Sequence, residues 1–429
     1  MKRPSRRTFL VATAASVGLA GCSGIEGEIG GSNGNGSGPT AGGGNATGTD
    51  GTPSGGGPTG DFHYTDRGEV LEDFEDISLW GTIKGEATTQ TDAVYKGSRS
   101  ARIQNPAGDA AGIYKSFPDG LDLTSHDLSI AAKLNSPSSG KIAMDVLAPT
   151  YSDHLVCRRY VPEQMDGWLR IDLGYTGKQG EPDLSNVQEL RLVVLSDGEP
   201  IDFVVDDLRL VPKQADSGRV VLSFDDTLTS HYEKAFPELQ KRGWPAMESA
   251  IPHDVNSDGY LTTGQLREMR DAGWDVISNP HNGTPLPQLS TDEKERAIKQ
   301  AKHWLNLKGF RDGMRFMAIP YDAYDAETLD LVRKHHDMGF TFGACPNTIP
   351  PVGEAAVSRV YGKDLNGAAR MINLAAQYNQ LTVVAFEGIG PNKRVSMDHF
   401  THLLDIIEGW GDNLQVTTPS QLQAMAEQV

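Results

Sequence analysis

The order of hydrophobic and polar positions divides the chain into parts with different patterns. Between residues 61 and 213, short segments alternate apolar and polar side chains and are separated by turn residues. Such alternation is typical of half-buried antiparallel strands. The clearest examples lie at 98–103, 128–132, 142–146, 190–194 and 203–208. This part is therefore predicted to be an all-β sandwich of jelly-roll type over residues 61–213.

From residue 218 onwards, strand patterns alternate with helical ones. The first strand, 220–224, is an almost continuous apolar run that ends in two aspartates. Helical periods and further strands then follow one another, at 266–272, 292–305, 315–319, 326–335, 339–344 and 381–386. This alternation predicts an α/β domain over residues 218–429, with a parallel sheet that is either open or closed into a barrel.

The first 22 residues have the pattern of an export signal. They carry basic residues and no acidic ones, followed by an apolar run at 9–20 that is short for a membrane span. Arg6 and Arg7 resemble a twin-arginine signal, and Leu19-Ala20-Gly21-Cys22 resembles a lipobox, which predicts cleavage and lipidation at Cys22. A plain secretory signal that is cleaved nearby is the alternative.

Residues 23–60 contain 16 glycines and predict a disordered linker. Together with the signal, this linker predicts a soluble module held at the cell surface. The membrane would then be contacted only through the lipid on Cys22.

Charge and cysteine content narrow the class of protein. The chain has 39 Lys+Arg against 57 Asp+Glu, a formal net charge of -18, which argues against nucleic acid as a partner and against binding to anionic lipid. Such acidity is typical of exported proteins of halophiles. The three cysteines are Cys22, Cys157 and Cys345, and their spacing predicts neither a disulfide framework nor a Cys/His zinc site.

Several motifs in the C-terminal part resemble the polysaccharide deacetylases, the NodB-homology group also called carbohydrate esterase family 4. The resemblance rests on the order of several short segments: Ser223-Phe224-Asp225-Asp226, Leu261-Thr262-Thr263-Gly264-Gln265-Leu266, Ala272-Gly273-Trp274-Asp275, Leu286-Pro287-Gln288-Leu289-Ser290, Ile319-Pro320-Tyr321 and Thr417-Thr418-Pro419-Ser420. It implies a distorted (β/α) barrel with its site at the carboxyl ends of the strands. The sandwich likewise resembles carbohydrate-binding sandwiches in its first and last strands, although a plain spacer fits it equally well.

The family resemblance implies roles for particular residues. Asp225 would be the general base, Asp226 would bind a divalent metal such as zinc, and Pro320 and Tyr321 would contact a carbohydrate substrate. Asn279 and Gly283 occupy the two positions at which the family carries metal-binding histidines, and His281 lies between them. We therefore take Asp226, His281 and Asn279 as the candidate metal ligands, with a hydrogen-bonding loop histidine as the alternative for His281.

Other family positions are substituted as well. Ala318 stands where the family has the arginine that orients the base. Phe386 or, with a shift by one, Glu387 stands where the family has its general-acid histidine. Glu387 is either a substitute acid or an ordinary carboxylate at a strand end. The substitutions predict a large loss of rate if nothing replaces the missing groups, because a general acid or base contributes roughly 10²–10⁴-fold.

A second cluster has the spacing of a calcium loop. Asp254, Asn256 and Asp258 supply oxygens at the first, third and fifth positions of an EF-hand-like loop, and Gly259 follows. Gln265 stands where such a loop has its bidentate glutamate, so an ordinary polar turn is the alternative.

Two functions follow from these patterns. The first is an exported, lipid-anchored hydrolase that removes N-acetyl groups from a carbohydrate. The second is a surface glycan-binding lipoprotein whose barrel has lost catalysis.

Overall fold

The computed structural model describes residues 67–390 and 395–427. The predicted signal at 1–22 with Cys22, the linker at 23–60 and the first residues of the sandwich segment lie outside the described residues. The sandwich and the barrel belong to one compact unit. Within the described ranges, no helix combines the length and the apolar character that a membrane span needs.

The first half of the described chain is a β-sandwich of two six-stranded sheets. Its strands are β1 Glu69–Glu72, β2 Gly81–Lys84, β3 Glu86–Gln90, β4 Ser100–Asn105, β5 Ala110–Leu121, β6 His126–Ser136, β7 Gly140–Leu147, β8 His154–Val161, β9 Leu169–Asp172, β10 Tyr175–Gln179, β11 Val187–Leu195 and β12 Ile201–Pro212. Sheet A has the order β3-β4-β12-β6-β9, with β1 also paired to β12, and sheet B has the order β10-β8-β7-β11-β5-β2. All pairings in both sheets are antiparallel.

Strand alternation explains how the two sheets pack. Ile130 and Phe203 of sheet A, and Met144 and Leu192 of sheet B, are fully buried between the sheets. Their sequence neighbours point away from this core, as the two-residue period of a strand requires. The alternating segments read from the sequence are therefore the strands of a sandwich, as predicted.

The second half is a closed parallel barrel. Its strands are β13 Gly218–Phe224, β14 Met247–Ala250, β15 Asp275–Ser278, β16 Phe316–Ala318, β17 Met338–Phe342, β18 Val357–Tyr361, β19 Leu381–Phe386 and β20 Leu414–Val416. Strands β13 to β19 pair in chain order, and β13 closes the ring by pairing with both β14 and β19, while β20 adds to β13. The helices are α1 Phe236–Arg242, α2 Thr263–Asp271, α3 Thr291–Lys308, α4 Ala326–His335, α5 Leu365–Tyr378, α6 Met397–Gly409 and α7 Pro419–Ala426.

The barrel interior is filled by every second side chain of its strands. Val221, Ile277, Phe340, Val357 and Val383 belong to one fully or almost fully buried cluster there. Because inward positions recur every two residues, the side chains that follow them at the carboxyl ends of the strands gather at one mouth of the barrel. This mouth is where the candidate site lies.

The sandwich takes the place of a helix on the outside of the barrel. Residues 343–356, all of them described, join β17 to β18 with only a short 3-10 turn, Glu354–Ala356. Arg159 of β8 reaches into this gap and donates from Nη2 to the carbonyl oxygen of Ala356 at 2.8 Å. At Gly174 a Cβ atom would lie 2.1 Å from the carbonyl oxygen of Pro346, so the two halves approach too closely there for a side chain.

The predicted fold class, an α/β barrel behind an all-β sandwich, is confirmed. The predicted helix 326–335 and strand 381–386 match α4 and β19 at both ends. The predicted strand 339–344 ends earlier, at Phe342, because Ala344 adopts a left-handed backbone with φ of 59° that no strand can continue through.

Candidate functional site

Asp225 lies at the barrel mouth and is held by an arginine from another strand. It directly follows β13, and its carboxylate is 19% exposed. Nη1 of Arg359 on β18 donates to both carboxylate oxygens of Asp225, at 3.0 and 2.8 Å. Arg359 is two residues beyond the inward-facing Val357, so strand alternation directs its side chain into the barrel.

A second carboxylate completes this arrangement. Nη2 of Arg359 donates to Oδ1 of Asp322 at 2.6 Å, and the hydroxyl of Tyr361 donates to Oδ2 of Asp322 at 3.0 Å. Burial lowers the pKa of Arg359, but Asp225 and Asp322 outweigh that effect and raise the pKa above its ordinary value. The guanidinium, only 3% exposed, is therefore a fixed cation between two acids.

An arginine contacts Asp225 although Ala318 stands at the sequence position of the family's arginine. Ala318 does occupy the sequence position of the family's arginine, and it is buried in the barrel interior. Arg359, which is 41 residues further along the chain, supplies the guanidinium from β18 instead. The same contact is thus made from a different strand.

Asp226 and Thr227 follow Asp225 in a left-handed backbone conformation, with φ of 72° and 56°. This conformation turns the chain sharply after β13 and leaves Asp226 exposed at the mouth. Thr227 is fully buried, and its hydroxyl oxygen accepts from the backbone N–H of Ile251 at 2.8 Å. A β-branched residue is disfavoured at positive φ, and this hydrogen bond stabilises the turn that the family often makes with glycine.

The predicted residues on the next strands also reach this end of the barrel. Asn279 is buried after β15; its amide nitrogen donates to Oγ of Ser249 at 3.1 Å and its amide oxygen accepts from the backbone N–H of His281 at 3.2 Å. Nε2 of His281 is hydrogen-bonded to the hydroxyl of Tyr321, and the two ring centroids are 4.8 Å apart. Tyr321 follows the buried Pro320 with φ of 58° and is 55% exposed.

The donor set does not fit a zinc centre of the family type. Catalytic zinc typically has three protein ligands, whereas the described residues contain no group of three or more His, Cys, Asp or Glu side chains placed to hold a metal ion. Both side-chain polar atoms of Asn279 already have partners, and so does Nε2 of His281. The ligand roles of Asp226, His281 and Asn279 stay predictions.

Two residues are the alternatives for the position of the family's general acid: Phe386 lies in the core, and Glu387 lies at the rim of the mouth. Phe386 is buried and stacks on Phe224, with ring centroids 5.4 Å apart. The carboxylate of Glu387 is 54% exposed and lies 3.7 Å from Nζ of Lys363. Glu387 is therefore at the rim of the mouth, and its role as a substitute acid stays a prediction.

A buried acid–base pair lies behind the aspartates and was not foreseen. Nδ1 of His231 is 2.9 Å from Oε2 of Glu248, and both side chains are fully buried. Nε2 of His231 carries a proton and donates it to the backbone oxygen of Glu387 at 3.3 Å. The hydrogen bond between Nδ1 and the carboxyl group of Glu248 therefore contains a second proton, which the two groups share. Burial raises the pKa of Glu248 to about 7, while Glu248 outweighs the burial of His231 and raises the pKa of that imidazole as well.

Stability is expected to fall as the pH rises through the titration of Glu248. The folded protein keeps this carboxyl protonated up to about pH 7, whereas the pKa of a free glutamate carboxyl is 4.5. Between these two values the folded state binds the extra proton, so Glu248 contributes stability at low pH that is lost at higher pH. This loss is measured by urea unfolding between pH 5 and 8.

Glu248→Gln is the variant that isolates this effect. It keeps the shape of the side chain, so the wild type should lose its stability advantage over the variant as the pH rises. The exposed Glu199→Gln should follow the wild-type curve. Parallel curves for the wild type and Glu248→Gln would contradict the expectation.

The candidate calcium loop uses its polar side chains to begin α2. Oδ1 of Asn256 accepts from the backbone N–H of Thr263 at 2.9 Å, and the Gln265 side chain accepts from the backbone N–H of Thr262 at 2.8 Å. These contacts agree with the polar-turn alternative. Calcium binding at Asp254, Asn256 and Asp258 stays a prediction.

A signal for Arg359 was present in the sequence. Arg359 lies in the middle of the short strand 357–361, at an inward position between Val357 and Tyr361. A charged side chain there needs a buried partner of opposite sign. His231 and Glu248 had no comparable signal, because their pairing depends on how the helical turn His231–Ala235, just before α1, approaches β14.

Comparison with known proteins finds a family similarity in the C-terminal part. The family model described as polysaccharide deacetylase matches residues 213–341. Residues 213–341 are therefore similar to the polysaccharide deacetylases, which supports the resemblance inferred from the order of motifs.

Two curated relatives match parts of the chain. The chain is 27% identical over 123 residues to a Bacillus subtilis protein, YxkH, named provisionally as a polysaccharide deacetylase, covering 28% of this chain and 44% of the relative. It is 29% identical over 137 residues to a poly-beta-1,6-N-acetyl-D-glucosamine N-deacetylase of Staphylococcus epidermidis. This match covers 28% of this chain and 47% of the relative. The chain thus spans less than half the length of either relative.

Among solved structures, the Streptococcus pyogenes deacetylase PplD in complex with acetate is similar at 25% identity. The match covers 33% of this chain and 62% of that one, with a TM-score of 0.30.

Proposed function

We propose that this protein is an exported hydrolase that removes acetyl groups from the nitrogen atoms of a carbohydrate. The family match over residues 213–341 supports a deacetylase-like activity. The single observation that carries the proposal further is the contact of Arg359 with both oxygens of Asp225 at the barrel mouth. It gives this chain a fixed carboxylate base although the family's own arginine position holds Ala318.

In the proposed reaction, water attacks the carbonyl carbon of the N-acetyl group. The carboxylate of Asp225 accepts a proton from the attacking water and passes that proton to the amide nitrogen. The C–N bond then breaks, and the free amine and acetic acid leave. Arg359 holds Asp225 in one orientation and is itself held by Asp322. His281 and Tyr321, linked by a hydrogen bond at the same mouth, are suited to contact the amide of the substrate.

The test is acetate release from acetylated glycans by the purified protein and by Asp225→Asn. This substitution removes the negative charge but keeps the size of the side chain, so release is expected to fall by roughly 10²–10⁴-fold with little change in thermal stability. The exposed Asp119→Asn serves as the matched control and should behave like the wild type. Equal rates for Asp225→Asn and the wild type would rule out Asp225 as the base.

A surface glycan-binding protein without catalysis is the second candidate. It is favoured by the buried Phe386 at the position of the family's acid and by the poor fit of the described side chains to a metal site. Glycan binding without acetate release, with zinc or cobalt added, would establish this candidate. Acetate release that depends on Asp225 would exclude it.

The proposed location is the outer face of the cell membrane. It is supported by Arg6-Arg7, by the lipobox ending at Cys22 and by the glycine-rich linker that follows. Carbohydrate is the proposed partner, and the lipid on Cys22 is the proposed membrane contact. The formal net charge of -18 supports the expectation that nucleic acid is not a partner.

A further inference from the structure

A row of three aromatic side chains leads from the barrel mouth to the sandwich. The rings of Tyr361 on β18 and Phe342 on β17 are stacked, with centroids 4.3 Å apart and an angle of 16° between their planes. Phe342 in turn lies 5.8 Å from Tyr160 of β8 in the sandwich. All three residues are partly exposed. We call Tyr361, Phe342 and Tyr160 the aromatic row.

One end of the aromatic row is bonded to the candidate site. The hydroxyl of Tyr361 donates to Asp322, which shares Arg359 with Asp225. The ammonium group of Lys363 lies 4.8 Å from the centroid of the Tyr361 ring and adds a hydrogen-bond donor beside it. The row therefore begins at Asp322, which is linked through Arg359 to Asp225, the carboxylate that the proposed reaction uses.

The other end of the row is fixed relative to the barrel. The backbone N–H of Tyr160 donates to the carbonyl oxygen of Gly343 at 2.9 Å. The neighbouring Arg159 is buried and bonded to Ala356. Tyr160 thus belongs to the sandwich by sequence, but its position beside Phe342 is set by direct contacts with the barrel.

Beyond Tyr160, the outward face of sheet B carries polar and aromatic groups. Leu155, Cys157 and Val161 of β8 point into the sandwich core, so Arg158 and Tyr160 point outward. Asp145 of β7 and Arg191 of β11 are register partners on this outward face. Arg191 also lies 5.4 Å from the ring centroid of Tyr151, which is partly exposed. This combination can both stack on sugar rings and bond to their hydroxyl groups.

We infer that the barrel mouth, the aromatic row and the outward face of sheet B form one binding surface for an extended glycan chain, with Tyr160 as the subsite that joins the two halves. The inference rests on the proposed function, since it names the substrate class as a polymer. The aromatic row consists of three rings joined by two successive ring contacts. Its length from the mouth is therefore greater than the length of one sugar unit. A polymer bound at Asp225 would continue along it.

The test compares a polymer with its disaccharide. The probes are poly-beta-1,6-N-acetylglucosamine, chitin fragments and acetylated xylan, each with the matching disaccharide. Affinities are measured on the full exported chain, on Tyr160→Ala and on Tyr160→Phe. For the polymer that the wild type binds, Tyr160→Ala is expected to lower the ratio of polymer to disaccharide affinity about tenfold, since the ring on which the sugar chain would stack is removed. Tyr160→Phe keeps the ring and should retain most of the ratio.

The control is Tyr95→Ala, a partly exposed tyrosine whose backbone N–H donates to Asp206 of β12 in sheet A. It should leave the affinity ratio at the wild-type value. An unchanged ratio in Tyr160→Ala, or a wild type that binds none of the three polymers, would overturn the inference.

Acetate release is measured in the same samples to separate this inference from the proposed function. If the wild type releases no acetate but Tyr160→Ala loses the polymer preference, the proposed hydrolysis fails and the binding surface stands. If acetate is released and the ratio does not change, the hydrolase stands and the extended surface fails.

Discussion

Replacement of Arg359 by glutamine is expected to lower the rate of acetate release by at least about 100-fold. The substitution removes the cation that lies between Asp225 and Asp322, so two carboxylates on one side of the mouth are left to repel each other. Asp225 would turn away from the position in which it meets water. Arg359→Lys should retain part of the rate, because an ammonium group can pair with one carboxylate but cannot bridge both in the same geometry. The measurement is the rate of acetate release, with thermal unfolding measured beside it.

The exposed Arg296→Gln on α3 is the matched control and should keep the wild-type rate. A wild-type rate in Arg359→Gln would mean that the orientation of Asp225 does not matter for the reaction. Equal losses in the lysine and glutamine variants, together with equal losses of stability, would indicate a structural role alone.

Replacement of Asp172 by alanine is expected to lower the free energy of unfolding by about 3 kcal/mol. Asp172 ends β9 of the sandwich and is only 3% exposed. Its carboxylate accepts from the backbone N–H groups of Val352 and Gly353, at 3.1 and 3.2 Å, and from the hydroxyl of Thr348 at 3.1 Å. These three donors belong to the barrel segment 343–356, and alanine would leave the two backbone N–H groups buried without a partner, while the Thr348 hydroxyl keeps its bond to the carbonyl oxygen of Pro350.

Urea unfolding of Asp172→Ala and Asp172→Asn measures this effect. Asparagine keeps one acceptor oxygen and should cost less than alanine. The exposed Asp197→Ala is the control and should stay within about 0.5 kcal/mol of the wild type. A loss of less than about 1 kcal/mol in Asp172→Ala would show that these hydrogen bonds contribute little to the contact between sandwich and barrel.

The sequence predicts those features that depend on neighbours along the chain. The helix at 326–335 has a three-to-four-residue apolar period and Asp325 at its N-cap, where the side chain accepts from the backbone of Thr328. The position of Asp225 follows in the same way, since an apolar strand that ends in an acid places that acid at the end of the sheet. The apolar pattern along the chain, together with the N-cap residue of the helix, is sufficient to predict these two features.

Contacts between distant segments could not be predicted in this way. Asp225 and Arg359 are separated by 134 positions, and they meet because the barrel closes with β18 two strands away from β13. The sandwich–barrel contact is a similar case, because nothing in residues 343–356 indicates that a separate domain covers them. Such pairs depend on strand order and closure, which no local pattern contains.

The missing helix between β17 and β18 has a consequence for how this protein can evolve. One continuous buried cluster contains Leu169 and Ile171 of the sandwich together with Leu329 and Val332 of the barrel. A barrel inherited without its sandwich would expose these apolar side chains to water. The two halves are therefore expected to pass through gene duplication and recombination as a pair. A new glycan preference would then arise by substitution within the pair rather than by exchange of the sandwich as a portable module.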